Sequence, residues 1–124
     1  MKSTRKRILL VDDDPDVLES IELALTDRGY EVLLAHDGAE GLARAERDAP
    51  DLIILDVVMP RRSGFAVLDR IHGKRQHAPR IILLTATPDQ KHREYAESRG
   101  ADAFMMKPFE VPALLDKVET LLAN

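Results

Sequence analysis

Residues 7–15, RILLVDDDP, decide the fold. Residues 8–11 are an uninterrupted apolar run, which is typical of a strand covered by helices on both faces. Three aspartates and a proline follow this run. An aspartate directly before a proline is a common start of a helix, with the aspartate as N-cap and the proline in the first turn. The stretch therefore predicts a buried strand, a short acidic turn and then a helix.

Outward from this stretch, short apolar runs alternate with stretches of helical periodicity along the chain. Such alternation is typical of parallel strands joined by right-handed helical crossovers. The predicted strands are residues 7–11, 30–35, 52–55, 80–84 and 103–106. The predicted helices are residues 15–28, 37–48, 64–72, 89–99 and 112–122. We therefore predict an α/β fold, a doubly wound five-stranded parallel sheet with helices on both faces.

Length and composition limit the classes of protein that fit. The 124 residues suit one domain, residues 1–124, and 44% hydrophobic with 32% charged residues suits a globule rather than a disordered chain. The net charge of −4 is not typical of a nucleic-acid-binding protein, which usually has a strongly basic surface. The absence of cysteine excludes disulfides and thiolate metal sites. The apolar run after the basic start is too short for a membrane span or signal peptide. We expect a cytoplasmic protein that binds neither nucleic acid nor membrane.

Polar residues lie where four of the predicted strands end. In open parallel sheets, ligands bind beyond the carboxyl ends of the strands, where the strand order reverses. The residues expected at this edge are Asp12 and Asp13 after the first strand, Asp56 after the third, Thr85 after the fourth and Lys107 after the fifth. Any one of them has an ordinary structural explanation, such as capping or a surface lysine. Their joint position predicts a functional site.

The chemistry of this set favours phosphoryl transfer. If the first and third strands are neighbours, Asp12, Asp13 and Asp56 crowd together and repel one another, so a cation is needed. Oxygen ligands alone suit a hard ion such as Mg²⁺ (or Mn²⁺). Lys107 adds a fixed positive charge, and the Thr85 hydroxyl can donate to a phosphoryl oxygen. A carboxylate nucleophile with these neighbours predicts an aspartyl phosphate.

Four stretches carry a resemblance to a known family. They are RILLVDDDPD at 7–16, LIILDVVMP at 52–60, IILLTA at 81–86 and ADAFMMKPF at 101–109. In order and spacing they resemble the receiver domain of bacterial two-component response regulators, in its single-domain, chemotaxis-regulator-like form. The likeness extends over nearly the whole chain. It implies a flavodoxin-like sheet with the strand order 2-1-3-4-5.

The resemblance also implies roles at the acidic end of the site. Asp56 would be the phosphoacceptor. Asp12 and Asp13 would be the acidic pair that serves the metal ion, together with Asp56 itself. The backbone carbonyl of Val58 would be a further metal ligand.

Further roles follow from the same resemblance on the side of the fourth and fifth strands. Thr85 and Lys107 would contact the phosphoryl group, and the Lys107–Pro108 peptide bond would be cis. Phe104 would turn inward when Thr85 moves, although by itself its position suits a permanently packed core aromatic. The switching surface would comprise the fourth helix, the fifth strand and the fifth helix.

The implied partners are those of a phosphorelay. A histidine kinase or phosphotransfer protein would supply the phosphoryl group, and an unidentified protein effector would respond to it. A phosphorylation-dependent dimer is compatible with the same resemblance. The chain would not be an enzyme with a separate substrate and would catalyse only its own phosphorylation and dephosphorylation.

Three other functions remain open from the sequence. An aspartate-nucleophile phosphatase or phosphotransferase would need a second acid near Asp56, where Val57 and Val58 stand. A nucleotide- or flavin-binding module would need a glycine-rich turn after the first strand, where the aspartates stand. A receiver-like scaffold that is not phosphorylated would not need the complete set of polar residues.

Two features depart from the commonest pattern of the family. Arg61 and Arg62 add positive charge to the loop after Asp56, where many relatives have small or acidic residues. They could be solvated loop arginines or could face a partner. Val58 is aliphatic and, with Thr87, would line the approach of water, so the lifetime of the phosphoryl group stays open.

Overall fold

The structure, a computed structural model, describes residues 5–57, 67, 70, 79–85, 94, 97, 98 and 100–123. The strands, in chain order, are β1 (Arg7–Val11), β2 (Glu31–Ala35), β3 (Leu52–Asp56), β4 (Arg80–Thr85) and β5 (Ala103–Met106). The continuous helices of this part of the chain are α1 (Pro15–Asp27), α2 (Gly38–Asp48) and α3 (Val111–Ala123). Helix α3 corresponds to the fifth helix predicted from the sequence.

The strands form one parallel five-stranded sheet in the order β2-β1-β3-β4-β5. Val11, at the end of β1, is in register with Ala35 of β2 on one side and with Leu55 of β3 on the other. The chain steps from β1 to one edge and then returns past β1 to β3, so the order reverses beside β1. The predicted fold class and strand order are confirmed.

Alternate residues of each strand face opposite sides of the sheet, which gives two cores. On one side, Leu9, Ile53 and Leu83 pack with Leu42 of α2 and with Val67. On the other side, the alternate residues of the same strands pack with α1 and α3, through Leu18, Ile21, Leu25, Leu114, Leu115 and Val118. Both faces are therefore covered, which explains why the strands are apolar without alternation.

The predicted third and fourth helices fall largely outside the described residues. Val67 and Arg70 are helical where the third was predicted, and Glu94, Glu97 and Ser98 are helical where the fourth was predicted. The inward-facing positions predicted for the third helix, Phe65, Leu68 and Ile71, lie outside the described part of the chain. None of the helices that the structure describes has both the length and the hydrophobicity of a membrane span.

Several element boundaries differ from the sequence prediction, and backbone hydrogen bonds give the reason. Tyr30 is not in β2, because its N–H donates to Leu25 and closes the end of α1. Asp56 and Thr85 were predicted to follow their strands but are the last residues of β3 and β4. Helix α3 extends one residue beyond its predicted range at each end. The backbone of both rim residues is therefore fixed by the sheet.

The ends of α1 are defined by the residues that the sequence indicated. The Asp14 side chain caps the helix by accepting from the N–H of Asp16, and Pro15 occupies the first turn. At the other end, Gly29 has φ +93, donates to Thr26, and is followed by the Tyr30 bond to Leu25. This is a Schellman arrangement, which favours glycine at the left-handed position.

Helix α2 begins with a comparable cap. The Asp37 side chain accepts from the N–H of Glu40 at 2.8 Å. In return, Glu40 Oε1 accepts from the backbone N–H of His36 at 2.7 Å, and the His36 ring lies 3.1 Å from the same oxygen. The backbone hydrogen bond from His36 lowers the pKa of Glu40 and more than offsets the desolvation of its carboxylate.

Helix α2 approaches β1 closely at Gly41. A Cβ at this position would lie 2.8 Å from Cγ1 of Val11, which is buried in the sheet. We expect Gly41→Ala to lower the free energy of unfolding by about 1–3 kcal/mol, the usual penalty for overpacking a core. Urea denaturation measures this change. In a Val11→Ala background the penalty should largely vanish, and an equal penalty there would contradict the close-contact explanation.

Candidate functional site

Three carboxylates meet at the carboxyl edge of the sheet. Asp12 and Asp13 directly follow β1, and Asp56 ends the neighbouring strand β3. Each offers an oxygen, and these three oxygens lie within 4.8 Å of one another. Asp12 and Asp56 are only 2% and 6% exposed, whereas Asp13 is exposed. Two desolvated negative charges therefore face a third that is open to solvent.

Lys107 brings a positive charge into this group. Its Nζ donates to Oδ2 of Asp12 at 2.8 Å and lies 3.4 Å from Oδ2 of Asp56. The backbone N–H of Lys107 also donates to the carbonyl of Thr85 at 2.6 Å. This bond joins the last residue of β4 to the residue that follows β5. The Lys107–Pro108 bond is cis, as the resemblance implied. One ammonium group thus bridges two buried carboxylates.

The environment keeps this ammonium group charged. Burial by itself lowers the pKa of Lys107, because the charged form is desolvated. The hydrogen bond to Asp12 and the negative charges of Asp12 and Asp56 act in the opposite direction and outweigh it. The net effect raises the pKa above the ordinary lysine value, so Lys107 remains a cation throughout the neutral range.

The orientation of Asp12 has a second determinant that the sequence interpretation missed. Its Oδ1 accepts from the backbone N–H of Asp14 at 2.9 Å, while its Oδ2 accepts from Lys107. From the sequence, Asp14 is expected only to cap α1. The signal that could have indicated more is the two-residue spacing of these aspartates, since an aspartate side chain commonly accepts from the backbone two residues ahead.

Thr85 and Phe104, the two predicted switch residues, lie on the fourth and fifth strands. Thr85 is 1% exposed and ends β4, where it is in register with Met106. Phe104 is in register with Leu83 and packs partly buried against the core on the α2 side of the sheet. Thr85 therefore shares the rim with the carboxylates, while Phe104 lies further down β5.

Other predicted site residues cannot be placed against this geometry. The carbonyl of Val58, predicted as a metal ligand, lies outside the described residues. So do Thr87, predicted to line the approach of water, and the loop arginines Arg61 and Arg62.

The donor set suits a hard divalent cation. Carboxylate oxygens are ligands that Mg²⁺ and Mn²⁺ accept, and the group of Asp12, Asp13 and Asp56 contains neither nitrogen nor sulfur donors. Buried Asp12 and Asp56 carry charge that burial alone would penalise, and a cation would offset that penalty. These residues could therefore hold a metal ion.

Together, the fold and the site define a class of protein. It is a doubly wound α/β domain with an acidic, metal-compatible pocket and a lysine at the carboxyl edge of its parallel sheet. The chain belongs to the family described as the response regulator receiver domain, whose match spans residues 8–119. Membership is consistent with phosphoacceptor signalling in two-component systems. Neither the phosphatase nor the scaffold alternative is favoured.

Named relatives and solved structures agree with this assignment. The chain is 42% identical to the response regulator MprA of Mycobacterium tuberculosis over 116 residues, which cover 94% of this chain and 50% of that protein. It therefore spans about half the length of the curated relatives it matches. A CheY-like receiver domain protein from Methanospirillum hungatei has a TM-score of 0.89 at 35% identity, covering 95% of this chain and 94% of that one. Vibrio cholerae CheY4 has a TM-score of 0.88 at 32% identity, covering 95% and 99%.

Proposed function

We propose that residues 1–124 constitute a single receiver domain that accepts one phosphoryl group on Asp56. The observation that carries the proposal is the convergence of Asp12, Asp13 and Asp56 within 4.8 Å, with Lys107 Nζ 3.4 Å from Asp56. A carboxylate that ends a buried strand is fixed in position, and one edge of it faces the pocket. This is the arrangement that a nucleophile needs.

The proposed reaction is an in-line displacement at phosphorus. An oxygen of Asp56 attacks the phosphorus of the donor, a new P–O bond forms, and the bond from phosphorus to the donor atom breaks with its electron pair. Lys107 offsets the charge on the phosphoryl oxygens, and the Thr85 hydroxyl orients one of them. Attack of water on the aspartyl phosphate later returns the carboxylate and phosphate. Catalysis would be limited to these two reactions of the chain itself.

Mg²⁺ (or Mn²⁺) is the cofactor we propose for Asp12, Asp13, Asp56 and the Val58 carbonyl. When bound, such an ion offsets negative charge on the transferring group. Asp12 and Asp13, after β1, and Asp56, at the end of β3, would hold it through their carboxylate oxygens. Lys107 would be free to contact the phosphoryl group once the ion takes over the charge of Asp12.

The proposed partners are a histidine kinase or phosphotransfer protein as donor and a protein effector as receiver of the signal. The output surface would comprise the fourth predicted helix, β5 and α3. Phosphorylation would favour one of two packings, with Thr85 drawn toward the phosphoryl group and Phe104 turned inward. A phosphorylation-dependent dimer and a cytoplasmic location belong to the same proposal. The net charge of −4 argues against nucleic-acid binding by these residues themselves.

Metal dependence tests the proposal directly. Incubation with acetyl phosphate and Mg²⁺ should add one phosphoryl group per chain, measured by intact-protein mass spectrometry. With EDTA in place of Mg²⁺, the rate of labelling should fall by at least about a hundredfold, because removal of the counter-charge is expected to raise the activation barrier by about 3 kcal/mol or more. Restored labelling on adding excess Mg²⁺ is the control. Equal labelling in EDTA would contradict the proposed role of the metal.

A further inference from the structure

Alternating aspartates form a hydrogen-bonded series at the start of α1. Asp12 Oδ1 accepts from the N–H of Asp14 at 2.9 Å, and Asp14 Oδ1 accepts from the N–H of Asp16 at 2.9 Å. The carbonyl of Asp14 accepts the first helical bond, from the N–H of Leu18 at 3.1 Å. Asp14 therefore stands between the helix and the acidic pocket and is bonded to both.

The bond to Asp14 gives Asp12 a fixed orientation. The two oxygens of this buried carboxylate have different partners, the Asp14 N–H on Oδ1 and the Lys107 ammonium on Oδ2. The ammonium is the end of a long flexible chain, whereas the N–H belongs to backbone. Rotation of the carboxylate would break the backbone bond inside a desolvated site. The N–H of Asp14 thus determines which oxygen edge faces the pocket.

The direction of that N–H depends on the capping side chain. Asp14 has φ −94 and ψ 110, an extended conformation that turns into the helix at the next residue. Its side-chain bond to Asp16 stabilises this conformation, and the ring of Pro15 restricts the following residue. Without the side-chain bond, the turn loses a restraint at the peptide unit whose N–H holds Asp12.

We propose that Asp14 is a positioning residue for the metal site: its capping side chain holds the backbone N–H that orients Asp12. The inference rests on the proposed role of Asp12, Asp13 and Asp56 as the metal-binding carboxylates. Asp14 acts through Asp12 and is outside the three-carboxylate group found among the described residues. Metal affinity consequently depends on how α1 is capped.

A simple loss of charge would also weaken cation binding, so the substitutions must separate charge from capping. Asn and Ser cap helices about as well as Asp, but they are neutral, whereas Ala has no capping oxygen. Asp14→Asn and Asp14→Ser therefore remove the charge and keep the cap. Asp14→Ala removes both. The difference between Ala and the two capping residues isolates the contribution of positioning.

The chain offers a matched control in α2. Asp37 is also an N-cap aspartate at the carboxyl edge of the sheet, and its side chain accepts from the N–H of Glu40 at 2.8 Å. Asp37→Ala removes one charge and one helix cap, like Asp14→Ala. The backbone N–H of Asp12 is bonded to Ala35, but its metal-facing carboxylate is bonded to Asp14 and Lys107. The control therefore reproduces the general destabilisation without releasing Asp12.

In the experiment, each variant is titrated with Mg²⁺ alone. Binding is measured from the change in the backbone amide shifts of Asp13 and Val57. We expect Asp14→Ala to bind Mg²⁺ about tenfold more weakly than wild type, at the lower end of the effect of losing a residue that orients a ligand. The Mg²⁺ affinity should stay within about threefold of wild type in Asp14→Asn, Asp14→Ser and Asp37→Ala. A change of this size is expected from the loss of one exposed charge.

A second measurement requires no metal. Amide hydrogen exchange at residue 14 should be about tenfold faster in Asp14→Ala than in Asp14→Asn, because the released turn no longer protects this N–H. Equal Mg²⁺ affinity of Asp14→Ala and wild type would overturn the inference, as would equal weakening in Asp14→Ala and Asp14→Asn. A wild-type chain that binds no Mg²⁺ would instead overturn the proposed metal site, which is a separate failure.

Discussion

We expect Asp56→Asn to abolish phosphorylation by acetyl phosphate. The substitution keeps the size and hydrogen-bonding shape of the side chain but replaces the nucleophilic carboxylate with an amide. Asp56 is 6% exposed at the end of β3, and the neighbouring carboxylates of Asp12 and Asp13 are proposed to hold the metal ion, so neither takes its place as nucleophile. No phosphoryl group should be detectable by intact-protein mass spectrometry under conditions that label the wild type fully.

A matched control separates loss of the nucleophile from loss of charge. Asp116 is an exposed aspartate of α3 and is not one of the site residues Asp12, Asp13, Asp56, Thr85 and Lys107. Asp116→Asn removes one negative charge and should be labelled like the wild type. Undiminished labelling of Asp56→Asn would mean that another residue is the acceptor, and the assignment of Asp56 would be wrong.

Lys107→Ala should leave Mg²⁺ binding intact but remove most of the conformational response to phosphorylation. The ammonium lies 3.4 Å from Asp56 and donates to Asp12 at 2.8 Å, so it is the charged group placed to follow a change on Asp56. A charge-assisted hydrogen bond contributes about 2 kcal/mol. If one of the two packings loses this stabilisation, the ratio of their populations changes by about thirtyfold.

The response is measured by the amide shifts of β5 and α3 with and without beryllofluoride and Mg²⁺. Lys6→Ala is the control, because Lys6 is an exposed lysine outside β5 and α3 and its loss removes the same charge. The control should respond like the wild type. If Lys107→Ala shifts the same amides to the same extent as the wild type, Lys107 does not transmit the state of Asp56.

Much of the fold could be predicted because it depends on a pattern that is local in sequence. A strand that is apolar at every position, such as residues 52–55, indicates a sheet covered by helices on both faces. Asp14 followed by Pro15 indicates the start of a helix. The position of the site followed from the fold, since parallel strands present their carboxyl ends at one edge. Asp12 and Asp56 could therefore be placed at the same edge of the sheet, whereas the pairing of β1 with β3 that brings them together was implied only by the resemblance to receiver domains.

Other features depend on distances between elements, which a sequence does not contain. The close approach of Gly41 to Val11 requires the position of α2 over β1. Lys107 Nζ lies closer to Oδ2 of Asp12 than to Oδ2 of Asp56. This difference depends on the side-chain conformations of all three residues. The prediction that Asp56 follows its strand was wrong by one residue, because the ladder with β4 extends to Leu84.

The most direct test of the phosphoacceptor site is a crystal structure of the chain with Mg²⁺ and beryllofluoride. We expect one Mg²⁺ held by Asp12, Asp13 and Asp56. We also expect beryllofluoride on Asp56, in contact with Lys107 Nζ and the Thr85 hydroxyl. Beryllofluoride on a different side chain, or an ion bound away from these three aspartates, would contradict the proposed site.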